Sequence, residues 1–368
     1  MEFINSTRME AGYSIGIDPS GREQLVVVVK GSFRLPRPGE AVELADTQLP
    51  LNLADTFTGA PGFSAPYGEV DFAPRKPFCD VLLHGSAHAP HGEATTAVEV
   101  GLRVGRMSKR FAVLGLRQWD MGLAGIRHTP PARFVRQAIS YDLAFGGVDQ
   151  EHEDPTEHGA YAPNPVGRGF RLHLRAEWVD GRPLPHTEAL GQPVSLPDGQ
   201  YTPMAFGPLG RGWPARLQYA GTYDDRWREE HFPFLPPDFD ERYYQAAPVD
   251  QQMPLPSGEI PVSLVNLTSD GRRDFVLPHF EAPVHVFPRD GGREDLTATL
   301  DTIVFEPDHD RFSMTWRVCR PLRRSLHELS QVLVGRKGRE WWQQRERVVF
   351  PVPVVMVPVR RATPGKDS

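Results

Sequence analysis

The sequence predicts a mainly β protein, and three observations lead to this fold class. Segments near both ends of the chain alternate apolar with polar residues or form short β-branched runs. The chain has 37 prolines in 368 residues, about twice the usual frequency, and interior prolines break helices. Helical periodicity is correspondingly scarce. We therefore expect two β-sandwich-like or meander modules, linked by a long ordered loop region rich in glycine, proline and aromatic residues, with few short helices.

The N-terminal β region contains a buried strand and a hairpin. Residues Gln24–Phe33 (QLVVVVKGSF) are rich in β-branched residues, and Asp80–Leu83 forms a short apolar run. The alternating segments Thr96–Val104 and Lys109–Leu116 are separated by four residues, a length that suits a hairpin turn. These patterns predict strands at all four segments.

A second β region follows residue 260. Its predicted strands are Val262–Leu267, Phe275–Leu277, Val284–Phe287, Leu296–Phe305 and Arg311–Cys319. A short helix is predicted over Ser325–Val334, because Ser325 and Glu328 have capping-box spacing and Gly335 follows. The repeated prolines of Val348–Val359 predict an extended strap or a sheet edge.

These patterns divide the chain into three predicted parts. Residues 1–135 form an N-terminal β module, and residues 256–368 form a C-terminal β module with one short helix. Residues 136–255 have little periodicity and are packed between the two modules. Long ordered loops of this kind tend to carry function.

Charge, hydropathy and cysteine content exclude several classes of protein. The formal net charge is -6 with both signs interspersed, which disfavours nucleic-acid binding. The longest apolar run, Leu25–Val29, is far shorter than the roughly 20 residues that span a bilayer. The first residues lack the apolar stretch of a secretory signal. Cys79 and Cys319 form no disulfide framework. We expect a cytoplasmic protein without membrane contact, and the pairing of the two cysteines stays open.

Motifs for catalysis and cofactor binding are missing. The sequence has no Walker A motif, no G-x-S-x-G nucleophile elbow and no H-E-x-x-H. His84, His88 and His91 would share one face of a helix, but Gly85 and Pro90 disfavour a helix there. We therefore expect a protein that is not an enzyme and holds no cofactor or metal.

Carboxylates between Asp224 and Asp240 leave one enzymatic alternative open. Paired carboxylates with a raised pKa serve glycoside hydrolysis, and nearby aromatic residues such as Trp227 would suit a sugar-binding cleft. Aspartates in loops rich in proline and glycine more commonly accept backbone N–H bonds in turns. The alternative function is a carbohydrate-active hydrolase using the Asp224–Asp240 loops, or a metal-dependent one using His84, His88 and His91.

The loop region contains five dense motifs in a fixed order. They are YDLAFGGVD (Tyr141–Asp149), NPVGRGF (Asn164–Phe170), FGPLGRGWPAR (Phe206–Arg216), AGTYDDRW (Ala220–Trp227) and LPPDFDERYYQAAPVDQQ (Leu235–Gln252). The series resembles an uncharacterised-domain family encoded beside VgrG, PAAR and toxin genes in type VI secretion clusters. The resemblance spans roughly residues 20–320 and departs from the family pattern at Pro193–Gly199.

This resemblance implies a function for the chain. Members of that family act as adaptors or chaperones that bind a toxin effector and help load it onto the VgrG–PAAR spike. The implied partners are therefore the toxin effector and the spike proteins. A structural component of the secretion apparatus is a further possibility, and it predicts secretion together with the spike.

The motif residues also have a physical interpretation. Glycines let backbone segments approach closely, and prolines fix φ. Arginine pairs with carboxylates or carbonyl groups through a rigid fork, and aromatic side chains bury large areas. Residues expected to form the scaffold or to contact a partner are Tyr141, Asp142, Phe145, Asn164, Arg168, Trp213, Arg216, Tyr223, Asp224, Trp227, Asp238 and Asp240.

Overall fold

A computed structural model describes residues 1–123 and 125–343, and these residues are mainly β. In chain order the strands are β1 (Glu2–Asn5), β2 (Glu10–Ile17), β3 (Glu23–Arg34), β4 (Thr56–Phe57), β5 (Pro66–Gly68), β6 (Cys79–Leu83), β7 (Gly85–His88), β8 (Ala97–Val104), β9 (Met107–Leu114), β10 (Trp119–Gly122), β11 (Gly125–His128), β12 (Arg136–Ile139), β13 (Phe145–Gly146), β14 (Val148–Asp149), β15 (Gly159–Ala160), β16 (Arg168–Gly169), β17 (Thr187–Glu188), β18 (Gln252–Met253), β19 (Ile260–Val265), β20 (Arg272–Leu277), β21 (Ala282–Pro288), β22 (Glu294–Glu306), β23 (Arg311–Pro321) and β24 (Leu329–Val334).

The helices are short, as predicted. Among the described residues the α-helices are α1 (Ala176–Val179), α2 (Pro214–Leu217) and α3 (Asp225–Glu230), and residues 339–343 are also helical. Single turns of 3-10 helix lie at Pro90–Gly92, Tyr141–Leu143, Pro155–Glu157, Glu241–Tyr244, Val249–Gln251, Pro307–His309 and Leu326–Glu328. Among the described residues, no helix is both long and apolar enough to cross a membrane.

Two sheets of the described chain contain most of the long strands. The larger has nine strands in the order β1-β24-β21-β22-β23-β3-β2, with β6 beside β22 and β18 beside β6. The smaller has five strands in the order β17-β9-β8-β19-β20. In the larger sheet β23 pairs with β3 over its full length, and in the smaller sheet β19 pairs with β8. Strands from both ends of the chain therefore hydrogen-bond within each sheet.

One apolar core contains side chains from both sheets. Val27, Trp316 and Phe305 from the larger sheet lie in the same cluster as Val100 and Phe111 from the smaller one, and all five are at most 2% exposed. β-branched and aromatic residues fit such pleated, buried surfaces well. The strands predicted in the two β regions are confirmed, and many of their apolar positions enter this core.

The opposite face of the larger sheet is polar and is also covered. Loops from residues 44–78 and 206–252 hydrogen-bond to it, and ion pairs are buried between loop and sheet. Lys30 pairs with Asp71 at 3.0 Å, and Lys76 pairs with Asp80 at 2.7 Å. These pairs fix the loops on the sheet, since a buried charge without its partner costs several kcal/mol, roughly 3–5.

The predicted helix at Ser325–Val334 is wrong. Ser325 does cap a turn, because its side chain accepts a hydrogen bond from the His327 N–H, but the turn ends at Glu328. The chain then continues as β24, between β1 and β21. Leucine and valine positions there are buried on both faces of the strand. A short apolar run of this kind has no periodicity that separates a buried strand from a helix.

The C-terminal strap and the division of the chain into three parts stay predictions. The predicted strap at Val348–Val359 lies outside the described residues. The three-part division at residues 135/136 and 255/256 stays a prediction. The hydrogen bonds show only that both end regions contribute strands to the same two sheets.

Candidate functional site

The first two motifs of the loop region cross each other and are held together by Asn164. Strand β13 of the first motif pairs in parallel with β16 of the second, with Phe145 opposite Arg168. The Asn164 side chain is fully buried, and its Nδ2 donates to the carbonyl oxygens of Tyr141 at 2.9 Å and Phe145 at 3.0 Å. We call this crossing of residues 141–149 and 164–170 the clasp. Asn164 is thus a structural residue of the clasp.

The glycines of the clasp are required by the close approach of its two segments. Gly146 has φ +147°, and a Cβ there would collide with the Asn164 carbonyl oxygen. At Gly167 a Cβ would lie 2.6 Å from the carbonyl oxygen of Ala144. Real Cβ atoms do not come so near a carbonyl group, so only glycine fits both positions.

The other predicted residues of the first motif anchor the clasp to its surroundings. Tyr141 is 3% exposed and packs edge-on against Trp213, with ring centroids 5.4 Å apart. Burial raises its pKa. The Asp142 carboxylate accepts from the Ala65 N–H at 2.8 Å and from the Thr58 hydroxyl at 2.7 Å. The clasp is therefore joined to the loop that covers the larger sheet.

Phe145 forms the centre of a second, smaller core. Its ring lies 4.9 Å from that of Tyr161 and 4.8 Å from that of Tyr201. The buried Phe170 and Trp119 belong to the same cluster. Such edge-on aromatic contacts contribute roughly 0.5–1.5 kcal/mol beyond the burial of area. Phe145 therefore has a packing role.

A cavity of about 380 Å³ opens beside the clasp. Its lining includes the clasp glycines and the residues Arg168, Arg171 and Arg182, and the exposed Phe63 and Val148 are also part of it. We call this cavity the arginine pocket. Burial lowers the pKa of Arg168, whose Nε donates to the Asp142 carbonyl oxygen at 3.1 Å. The pocket combines positive charge with an apolar edge.

Arg216 is a buried structural residue. It is 2% exposed, and its guanidinium pairs with Glu69. Its nitrogens also donate to the carbonyl oxygens of Leu209 at 2.9 Å and Tyr243 at 2.8 Å. This rigid fork ties the third and fifth motifs to the loop over the larger sheet.

The fourth motif, residues 228–234 and the start of the fifth motif form a lobe with exposed aromatic side chains. Tyr223 is 53% exposed, Phe232 66% and Phe234 45%, while Trp227 between them is half-buried. The Trp227 ring lies 4.7 Å from that of Tyr223 and 5.7 Å from that of Phe232. We call residues 220–240 the aromatic lobe. It is the part of the predicted site that faces solvent.

Hydrogen bonds hold the aromatic lobe in one shape. Asp224 caps α3 by accepting from the Trp227 N–H at 2.8 Å. The Asp238 carboxylate accepts from both the N–H and the hydroxyl of Thr222, at 2.9 and 2.7 Å. Asp240 accepts from the backbone and side chain of Arg242. The predicted aspartates therefore cap turns of the lobe.

The groups named for hydrolase chemistry have local partners. The Thr222 N–H lowers the pKa of Asp238, and the Arg242 side chain lowers that of Asp240. Glycosidase acids need a raised pKa instead. Burial lowers the pKa of His84 to about 4, and its ring is stacked on Tyr67. Within residues 1–123 and 125–343, no group of three or more His, Cys, Asp or Glu side chains could hold a metal ion.

The structure divides the predicted site residues into two groups and adds others. Buried or half-buried scaffold residues are Tyr141, Asp142, Phe145, Asn164, Arg168, Trp213 and Arg216, whereas Tyr223, Asp224, Trp227, Asp238 and Asp240 belong to the aromatic lobe. Sequence reasoning missed Phe63, Arg171 and Arg182 in the arginine pocket, and Phe232 and Phe234 in the aromatic lobe. Arg171 directly follows the second motif, which is a signal that could have been used. Nothing in the sequence around Phe63 or Arg182 indicates the pocket.

One comparison with known proteins gives a match. The model of a family described as "Uncharacterized protein conserved in bacteria (DUF2169)" matches residues 20–317. No curated protein and no solved structure matches the chain. The matched range includes the clasp, the arginine pocket and the aromatic lobe.

Proposed function

The chain belongs to this DUF2169 family of bacterial proteins, and we propose that it is a type VI secretion effector adaptor without catalytic activity. In this role it binds a toxin effector in the cytoplasm and helps load it onto the VgrG–PAAR spike. The motif order described above supplies the link to secretion, since the family itself is uncharacterised.

The observation that carries this proposal is the exposed aromatic lobe. Tyr223, Phe232 and Phe234 leave large apolar areas in water, which a folded protein usually avoids unless the surface has a partner. Tyrosine and tryptophan are enriched among the residues that dominate protein–protein binding energies. The lobe therefore has the composition of an interaction surface.

The rigidity of the lobe supports the same role. Trp227 Nε1 donates to the Phe234 carbonyl oxygen at 2.8 Å, and the Asp240 N–H donates to that of Tyr219 at 3.0 Å. Ordering a flexible loop on binding costs roughly 0.5–1.5 kcal/mol per side chain. A surface that is already ordered avoids much of this cost, which suits a protein that must hold its cargo until loading.

Co-purification from the producing bacterium tests the proposal. The full chain should recover the toxin effector encoded beside its VgrG and PAAR genes. Tyr223→Ala with Phe232→Ala should reduce recovery at least about tenfold, because each removes an exposed aromatic contact. Val276→Ala is the control, since Val276 is also exposed but lies on β20 of the smaller sheet. Equal recovery by all variants, or none by the wild type, would contradict this assignment.

Cell fractionation separates an adaptor from a spike component. An adaptor remains in the producing cell after the toxin has left it. A structural component of the apparatus is secreted with the spike. The proposal therefore predicts that the chain stays in the cytoplasmic fraction while the effector is found in the medium, and co-secretion of the chain would contradict it.

A further inference from the structure

We propose that the arginine pocket binds a carboxylate group carried by a segment of a protein partner, next to an apolar side chain of the same segment. The inference deepens the proposed function, on which it rests for the identity of the partner. The chemistry of the pocket is argued from its own residues.

The charged residues that line the pocket are all arginines. Three arginines and no acidic residue line it, and among the described residues Glu151 carries the one carboxylate within ion-pair distance of any of them. Glu151 lies 2.7 Å from Arg182 and 3.9 Å from Arg171. The Asp149 carboxylate accepts from the backbone N–H groups of Leu172 and His173. It keeps its charge, and like Asp142 it acts on the arginines from outside the lining of the pocket.

Arg168 has unused binding capacity. Its Nε donates to the Asp142 carbonyl oxygen, but within the described chain its guanidinium forms no ion pair and its two terminal nitrogens have no hydrogen-bond partner. An arginine presents five N–H donors in a planar fork that matches a carboxylate. The Asp142 carboxylate acts on Arg168 from beyond ion-pair distance, so among the described residues this half-buried arginine has no direct carboxylate partner of the kind that such groups normally have. A carboxylate in the pocket would supply it.

The walls of the pocket are rigid and narrow. Gly146, Gly147, Gly167 and Gly169 line it, so that backbone rather than side chain faces the ligand. The clasp fixes this backbone through the two Asn164 hydrogen bonds. Arg168 is therefore held in position before any ligand arrives, which reduces the entropy lost on binding.

The apolar edge of the pocket narrows the class of ligand. Phe63 is 87% exposed and Val148 45% exposed. An apolar side chain next to the bound carboxylate would cover both. A bare phosphate would leave them in water, and a net charge of -6 disfavours a long polyanion. The cavity of about 380 Å³ lies within the roughly 300–1,000 Å³ range of ligand sites.

Fluorescence anisotropy with a defined peptide tests the inference. The probe is a fluorescein-labelled hexapeptide ending in Leu-Asp-Glu with a free terminal carboxylate. Its matched control ends in Leu-Asn-Gln with a terminal amide. The full chain should bind the acidic peptide at least about tenfold more tightly than the control, because charged hydrogen bonds to arginine provide the difference. Added salt should weaken the binding.

Two variants and a matched control locate the site. Arg168→Gln and Arg182→Gln should each weaken binding about tenfold or more. Arg175→Gln should leave it unchanged, since Arg175 is exposed directly before the nearby α1 and does not line the pocket. Far-ultraviolet circular dichroism and thermal melting verify that each variant is folded. If Arg168→Gln does not fold, Arg182→Gln alone tests the site.

Three outcomes would overturn the inference. They are equal binding of both peptides, equal binding by Arg175→Gln and the pocket variants, and displacement of the probe by inorganic phosphate at concentrations where acetate has no effect. The last would make the site a phosphate site. If the acidic peptide does not bind selectively but the effector is still recovered, the inference about the pocket is wrong and the adaptor role stands. If the peptide binds as expected but no effector is recovered, the adaptor role is wrong.

Discussion

Gly146 shows how a single residue controls the candidate site. Its φ of +147° and the nearby Asn164 carbonyl oxygen both exclude a side chain. We predict that Gly146→Ala lowers the free energy of unfolding by at least about 2 kcal/mol, from backbone strain and collision. Urea denaturation measures this. Gly258→Ala is the control, because Gly258 has nothing within 4 Å of a Cβ and should change stability by less than about 0.5 kcal/mol. Equal losses of unfolding free energy in the two variants would mean that the backbone at Gly146 does not exclude a side chain.

His186 gives the protein a pH dependence near the arginine pocket. Burial and the charges of Arg168 and Arg117 lower its pKa to about 4, from an ordinary value of 6.5. The unfolded chain therefore binds the proton more readily, and stability is lost as pH falls from about 6.5 towards 4. Between pH 7 and 5 the loss from this group is about 2 kcal/mol.

Substitution of His186 isolates this contribution. The free energy of unfolding, measured with urea, falls between pH 7 and pH 5. This fall should be about 2 kcal/mol smaller in His186→Gln than in the wild type. His128→Gln is the control at an exposed histidine. In Arg168→Gln the pKa of His186 should rise, as followed by NMR titration, because one of the charges that lowers it is gone. An unchanged pKa would contradict the proximity of the two groups.

The sequence indicated which residues of the motifs are important, but it did not indicate which partners they contact. Tyr141, Asn164 and Arg216 were identified from their motifs, and all three are buried. Their partners could not be identified, because Arg216 contacts Glu69 and Tyr243, which are far apart in the chain. Phe63 of the arginine pocket was missed for the same reason. Its position depends on a long-range contact that leaves no local pattern.

Helix α3 is the element on which the aromatic lobe depends. Six residues make a marginal helix, and isolated helices of this length are unstable. The cap at Asp224 therefore contributes a large share of its stability. Asp224→Ala should increase amide hydrogen exchange at Trp227 about fivefold, equivalent to about 1 kcal/mol.

The same substitution should weaken effector binding without lowering the melting temperature of the whole protein. Asp225→Ala provides the comparison, because Asp225 is exposed and its ion pair with Arg228 contributes little. An Asp224→Ala variant with wild-type exchange rates would show that the cap does not hold the lobe in shape.

Strands were the most predictable elements of this chain. Alternation and β-branched runs located β3, β8, β9, β22 and β23 to within a few residues. The error at β24 has a physical cause, since its neighbours β1 and β21 come from distant parts of the chain and bury both of its faces. Because both faces are buried, apolar residues occupy consecutive positions of β24, and the alternation of apolar and polar residues that identifies the other strands is missing.

At the scale of the whole molecule, the two ends of the chain depend on each other. Strand β3 pairs with β23 over eleven residues, and β8 pairs with β19. We predict that a fragment of residues 1–135 does not fold alone, because it lacks both partners. NMR dispersion and circular dichroism of the fragment measure this. A folded fragment would support the three-part division of the chain instead.

The proposed role depends on binding of a toxin effector to the aromatic lobe. Calorimetric titration of the purified full chain with a toxin encoded beside VgrG and PAAR genes of the same bacterium is the decisive measurement. We expect saturable one-to-one binding that is weakened at least about tenfold by Tyr223→Ala with Phe232→Ala, and retained by Val276→Ala. Absence of binding between two folded proteins, or binding that the lobe variant leaves unchanged, would contradict it.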